Sequence, residues 1–205
     1  MKEWVGLFEK GGPIMWPLLV TSIAALTVVI ERIVFIVRER SLREPEVVEK
    51  ILSAVEDGDR ESAIQAGQTS RDFVARTLVY GLSHSETSFS NALLRAASLE
   101  LKRFNQGLVV LDTIITLSPL LGLLGTVTGM IHAFSLLGGA ELDAPAAITG
   151  GIAEALIATA FGLAIAILCL IPYNYLNGRL EEARHEIEDA ASNLEILLAH
   201  AAPGA

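Results

Sequence analysis

Three apolar runs, each long enough to cross a bilayer, constrain this 205-residue chain more than any other feature. A helical crossing takes about 20 apolar residues. The first run is Ile14 to Val37, the second Leu108 to Leu137, and the third spans about Ala144 to Leu176. The chain is 52% hydrophobic with a mean hydropathy of +0.50, and its apolar residues are bunched rather than dispersed. In lipid every backbone polar group must be satisfied within the span, so these runs predict helices. The expected fold is an all-α integral membrane protein with three transmembrane helices.

The first run is too long for a signal peptide, and Lys2, Glu3, Glu9 and Lys10 before it balance in charge. It is read as a retained anchor. Orientation follows from Lys and Arg near the span ends. Arg38, Arg40 and Arg43 follow the first span, Arg95, Lys102 and Arg103 precede the second, and Arg179 and Arg184 follow the third. The GGAELDAPAA hairpin has neither Lys nor Arg. The N-terminus is therefore expected outside, and residues 38–107 and the C-terminus inside.

The expected organisation is a short periplasmic N-terminus (1–13), span one (14–37), a cytoplasmic helical segment (38–107) and span two (108–137). A periplasmic hairpin (138–143), span three (144–176) and a cytoplasmic C-terminal helix and tail (177–205) follow. In PEVVEKILSAVEDGD, Val47, Val48, Ile51, Leu52 and Val55 recur at helix period against an acidic face. DGD and GLSHSETS read as breaks. From Asn91 the sequence runs into span two without an obvious breaker, predicting one long helix that projects into the cytoplasm. The tail after Tyr175 is also helical in character, with Gly178 a weak point. Glu31 and Arg32 read as an interfacial pair, the Arg snorkelling to the inner headgroups.

The net charge of −9 excludes a general basic surface for nucleic acid. Much of that charge sits between Glu181 and Glu195, where six acids face one Arg. The lone cysteine, Cys169, lies in the third span, so no intrachain disulfide or cysteine zinc cluster can form.

At 100° per residue, span two carries a stripe of small residues: Ser118, Gly122, Gly125, Gly129 and Ala133. Such stripes let membrane helices approach closely. Asp112, Pro119, Thr126 and Ala133 run seven apart along one edge of it, and Pro119 leaves the Ile115 carbonyl without its helical donor. Span three repeats the design with Gly151, Ala155, Ala158 and Gly162. Asp143 and Pro145 read as its N-cap and first turn.

Glu154 lies about ten residues, or roughly 15 Å, into that helix and about 60° to one side of the stripe. Thr159 lies about 80° to the other side, so the two do not share one pore radius. A charge at mid-membrane costs at least about 2.5–3.5 kcal/mol. Two readings of Glu154 stand: a protonated acid that only bonds between helices, or a titrating site whose protonation follows access from either side. Thr126 and Thr159 are either polar steps of a path or threonines bonded to their own backbone. His132 reads as interfacial. Two converging acids for intramembrane proteolysis are missing, because Asp112 and Glu154 lie at different depths, so no enzyme is expected.

LSPLLGLLGTVTGMIHAF in span two and GGIAEALIATAFGLAIAI in span three resemble the MotA/TolQ/ExbB proton channel family, in its ExbB/TolQ branch. ERIVFIVRER at the end of span one and the N-out plan fit as well. TGG (Thr149, Gly150, Gly151) stands where the family often has APG, and Ser118 where Ala is common. Flagellar stators of the MotA type have four spans and a longer cytoplasmic segment. The resemblance implies a homopentamer in a bacterial inner membrane around a dimer of a single-span ExbD/TolR-type partner, coupled to a TonB- or TolA-type transducer. It implies a translocated H⁺, no cofactor, and an ion pathway through Glu154, Thr126 and Thr159, with Asp112 and Ser118 as secondary polar groups. The small stripes would then be subunit seams. The implied role is an ExbB-like stator energising TonB-dependent outer-membrane transport. A TolQ-like role in envelope maintenance is the alternative, and a passive scaffold a further one.

Overall fold

The structure, a computed structural model, describes residues 2–137 and 144–201. It is helical throughout, with no strand among the described residues. The helices are α1 (Lys2–Lys10), α2 (Met15–Ser41), α3 (Pro45–Glu56), α4 (Arg60–Gln68), α5 (Phe73–Ser83), α6 (Ser85–Asn105), α7 (Leu108–Leu137) and α8 (Ala144–Ala201). Parts of α2, α7 and α8 are long and apolar enough to cross a membrane. The chain divides into a first unit, Met1–Glu31 with Gly107–Tyr175, and a second, Arg32–Gln106 with Leu176–Ala205.

In the first unit α7 covers the whole of the second apolar run, Leu108–Leu137. The N-terminal segment, expected only as a short lead-in, forms α1 and then a turn at Gly11–Pro13 before α2. Gly12 takes a φ of 72° in that turn, a left-handed conformation that suits glycine. Phe8 meets Trp16 edge-on, with ring centroids 5.4 Å apart. The hairpin at 138–143 and the proposed Asp143 cap lie outside the described residues; α8 begins at Ala144.

The second unit has a core of its own. The period read from the sequence buries Ile51 and Val55 on α3; α5 buries Phe73, Val74, Ala75, Leu78 and Leu82. Leu176, Leu180, Ala183, Ile187 and Leu194 form the buried stripe of α8 here, spaced three, four and seven apart as an amphipathic helix requires. A Cβ on Gly67 would come within 2.5 Å of Val79 Cγ2 and 2.6 Å of Ile51 Cδ1, so α4 lies close on its neighbours. The DGD break falls between α3 and α4, and GLSHSETS straddles the junction of α5 and α6 at His84, with Ser88 departing from helical geometry.

Buried charge organises this unit. Asp72, 1% exposed, caps α5 by accepting from the Val74 amide at 2.8 Å and also accepts from the Glu44 amide at 2.7 Å. Arg43 grips both Asp72 oxygens and stacks over Phe73. Arg43 also pairs with Glu186 at 2.6 Å. Arg103 joins Glu39 at 2.8 Å and Glu100 at 2.7 Å, and Arg76 pairs with Glu100 as well.

Two expectations are corrected. The helix predicted to run from Asn91 into span two stops at Asn105 and restarts at Leu108. Gln106 is extended (φ −60°, ψ 133°) and Gly107 has a φ of 82°, a conformation that ends helices. Arg32 does not snorkel: it is 4% exposed, donates to the Arg103 carbonyl at 2.9 Å, and covers the Phe35 ring. Gly178, by contrast, does not interrupt α8.

Candidate functional site

The first unit is built on a seam between α7 and α8. A Cβ placed on Gly122 would lie 3.0 Å from the Thr159 Cα and 3.1 Å from the Ala158 carbonyl oxygen. One on Gly129 would lie 3.1 Å from the Gly151 carbonyl oxygen and 3.2 Å from the Ala155 Cβ. One on Gly151 would lie 2.6 Å from Ala133 Cβ, and one on Gly125 2.5 Å from Ala158 Cβ. At Gly162 an added carbon would overlap the Ser118 carbonyl oxygen and stand 3.1 Å from the Gly122 Cα. Every one of these is a backbone or a Cβ contact, so neither helix can yield by turning a side chain. Dispersion across close backbones is what holds helices together in lipid.

The two small stripes therefore meet each other within one chain. The resemblance implied subunit seams; in this chain Gly122, Gly125, Gly129, Gly151, Ala155, Ala158 and Gly162 are all buried. Large apolar side chains, including Leu120, Leu123 and Val127 on α7 and Leu156, Leu163 and Ile167 on α8, are exposed on the outer faces of the two helices.

Glu154 projects from the flank of this seam and is half-buried. Its carboxyl group rests against the α1–α2 turn, so close that a Cβ on Gly12 would overlap Oε1. The turn thus needs glycine twice, for its positive φ and for the room it leaves. A cleft of about 590 Å³ opens beside the carboxyl, lined by Gly12, Pro13, Thr128, Ile131, His132 and Ser135.

The other predicted site residues stand apart. Thr159 donates across the seam to the Gly122 carbonyl at 3.0 Å, so its hydroxyl is a tie between α7 and α8. Thr126 donates to the Leu123 carbonyl of its own helix at 2.6 Å. It lines a different, mostly apolar groove with Val127, Met130 and Phe134, which shares Ile131 and Ser135 with the Glu154 cleft. Asp112 is exposed on the second turn of α7. Ser118 is fully buried, and its hydroxyl has no hydrogen-bond partner among the described residues.

Within one chain, then, Glu154, Thr126 and Thr159 do not surround one space. Sequence reasoning missed Gly12 and set His132 aside as interfacial. The Gly11-Gly12-Pro13 run directly before an apolar span was the available signal for a tight turn. Nothing local tied that turn to Glu154. Among the described residues no three His, Cys, Asp or Glu side chains stand together as metal ligands.

Three apolar helices, a close seam of small residues and an acid on its flank define a helical membrane protein with a protonatable group inside its apolar unit. The profile of the MotA/TolQ/ExbB proton channel family matches residues 65–189, and the chain belongs to that family, which is one of channels and not of enzymes. An ExbB-like biopolymer transport protein of Synechocystis sp. (ExbB-like 1) is 37% identical over 198 residues, covering 93% of this chain and 77% of that protein. The biopolymer transport protein ExbB of Neisseria gonorrhoeae is 37% identical over 98 residues, 48% of this chain and 44% of its own. The Tol-Pal system protein TolQ of Haemophilus influenzae is 42% identical over 89 residues, 43% of this chain and 39% of its own.

Proposed function

We propose that this chain is the ion-conducting stator subunit of an inner-membrane motor that spends the proton-motive force on TonB-dependent outer-membrane transport. The observation that carries the reading is Glu154, a carboxyl group half-buried in an otherwise apolar unit of a proton-channel family member. Intramembrane acids are functional by default, because an idle one is costly. Each charge crossing 100 mV releases about 2.3 kcal/mol, so several protons can drive one mechanical step.

In this account the N-terminus faces the periplasm, residues 38–107 and the C-terminus face the cytoplasm, and H⁺ is the ion. The chain assembles as a homopentamer around a dimer of a single-span ExbD/TolR-type partner. Packing within one chain buries only 17–33% of the three span cores, which leaves apolar surface for both lipid and neighbouring copies. Glu154 carries the proton, and Thr126 and Ser118 offer polar steps on α7. Thr159 supports the path by fixing α8 against α7. Asp112, exposed on the second turn of α7, stands at the cytoplasmic end of the path. The two named relatives with ExbB and TolQ roles match similar shares of this chain, so a TolQ-like role in envelope maintenance is the second reading.

Exchange of Glu154→Gln keeps the size and hydrogen bonding of the side chain and removes its titration. It is expected to abolish energised uptake in cells while the subunit still reaches the membrane and co-purifies as an oligomer with its partner. Normal uptake in that variant rejects the proposal. Rescue of an uptake mutant or of an envelope mutant by the wild-type gene separates the ExbB-like from the TolQ-like role.

A further inference from the structure

The cleft beside Glu154 contains a second titratable side chain, His132, for which the proposed function assigns no part. His132 stands on α7 one turn beyond Thr128 and three residues before Ser135, so all three share one face of that helix. Glu154 enters the cleft from α8, and the α1–α2 turn closes a side with Gly12 and Pro13, neither of which titrates. Among the described residues, His132 and Glu154 are thus the titratable groups lining this space.

The hydroxyls around them are already committed as donors. Thr128 Oγ1 donates to the Leu124 carbonyl at 3.0 Å, and Ser135 Oγ donates to the His132 carbonyl at 2.8 Å. A hydroxyl whose proton is engaged presents only acceptor lone pairs. The cleft therefore offers water two kinds of acceptor: two hydroxyl oxygens and a carboxylate. Only the imidazole can take a proton at one nitrogen and release another from the second. A space of about 590 Å³ with several polar walls is roomy enough for a short chain of waters, each taking about 30 Å³.

We propose that His132 relays protons from the α1 side of the membrane to Glu154. A hydronium ion gives its proton to one ring nitrogen and leaves as water. The opposite ring N–H passes its proton through water to the Glu154 carboxylate, and the imidazole returns to its neutral form. One proton enters, one is delivered, and no electrons move. The relay rests on Glu154 being the proton-carrying acid.

The test is proton uptake by right-side-out membrane vesicles from cells that express the full chain with its partner, at outer pH 5.5 to 8. Wild-type uptake across this range sets the reference profile. His132→Gln should cut uptake at pH 7 by about tenfold or more and flatten the profile. His132→Ala should show the same loss and recover when free imidazole is added outside, a rescue that a packing defect would not give. Wild-type rates and profile in both variants overturn the relay, as does a loss that imidazole does not restore. Glu154→Gln in parallel separates the two ideas. Uptake that persists there rejects the proton-channel reading, whereas a silent Glu154→Gln beside normal His132 variants rejects only the relay.

Discussion

The two units solve the same problem, holding helices together, with opposite chemistry. In the first, α7 and α8 touch through glycine and alanine, and the inter-helix tie described there is Thr159 to the Gly122 carbonyl. In the second, helices meet through Phe73, Leu78 and Leu82 and through guanidinium–carboxylate pairs such as Arg43 with Asp72 and Arg103 with Glu39. Lipid tails are as apolar as leucine, so burial drives nothing between spans and only close approach remains. Water makes burial favourable and lets charge be placed where capped helix ends need it. An acid is unremarkable in the second unit. In the first it stands against that unit's own logic, and this is what marks Glu154.

The contrast can be broken most forcefully at Asp72. Its carboxylate serves Arg43 and two backbone amides in a buried position, so Asp72→Ala uncaps α5 and leaves Arg43 with Glu186 alone. A loss of about 2–4 kcal/mol is expected from the lost cap and charged hydrogen bonds, read as faster amide exchange across α5 in the solubilised full chain. Unchanged exchange there would mean that ion pairs do not organise the second unit.

Next comes Gly162→Val, whose first added carbon meets the Ser118 carbonyl oxygen. Forced repacking of this kind costs about 1–3 kcal/mol and should lower the thermal midpoint in detergent. Gly150→Ala meets nothing within 4 Å and should be neutral or slightly stabilising, since Ala favours helix. Equal behaviour of the two would contradict a seam built on close backbones. Thr159→Val removes one inter-helix hydrogen bond while keeping the shape, for a loss of about 0.6 kcal/mol by comparison with other membrane helices. Thr159→Ser should retain it.

The smallest effect belongs to the second unit. Hydrogen bonds from the Ser62 hydroxyl and amide hold the Asp59 carboxyl below its ordinary value of about 3.8. Because the folded value is the lower one, the cap contributes above the ordinary carboxyl range and is lost as pH falls through the folded value. Amide exchange in α4 should rise slightly below about pH 4 in wild type, and Asp59→Ala should show the raised exchange already at neutral pH.

Local pattern carried much of this architecture into the sequence. Long apolar runs announce spans because length and composition suffice, and α7 begins and ends where its run does. The small stripes were legible because helix period puts Gly122, Gly125 and Gly129 on one face; that they meet Gly151, Ala155 and Gly162 of the same chain depends on how α7 and α8 pair. The break at Gln106–Gly107 was hidden, since a lone glycine inside a helical pattern is often tolerated. Arg43 and Asp72 lie 29 residues apart, and Gly12 and Glu154 far more, so no periodicity links them. Glu154 itself was conspicuous, yet its contact with the α1–α2 turn was not, because that depends on how α8 packs against the turn.

The central claim is that the Glu154 carboxyl carries protons across the membrane. Its most direct test is the rate of proton entry into vesicles holding the assembled complex under an imposed pH gradient, compared between wild type and Glu154→Gln at equal subunit content. The account predicts a steady flux in wild type and only background leak in Glu154→Gln. Equal flux in the two would contradict it.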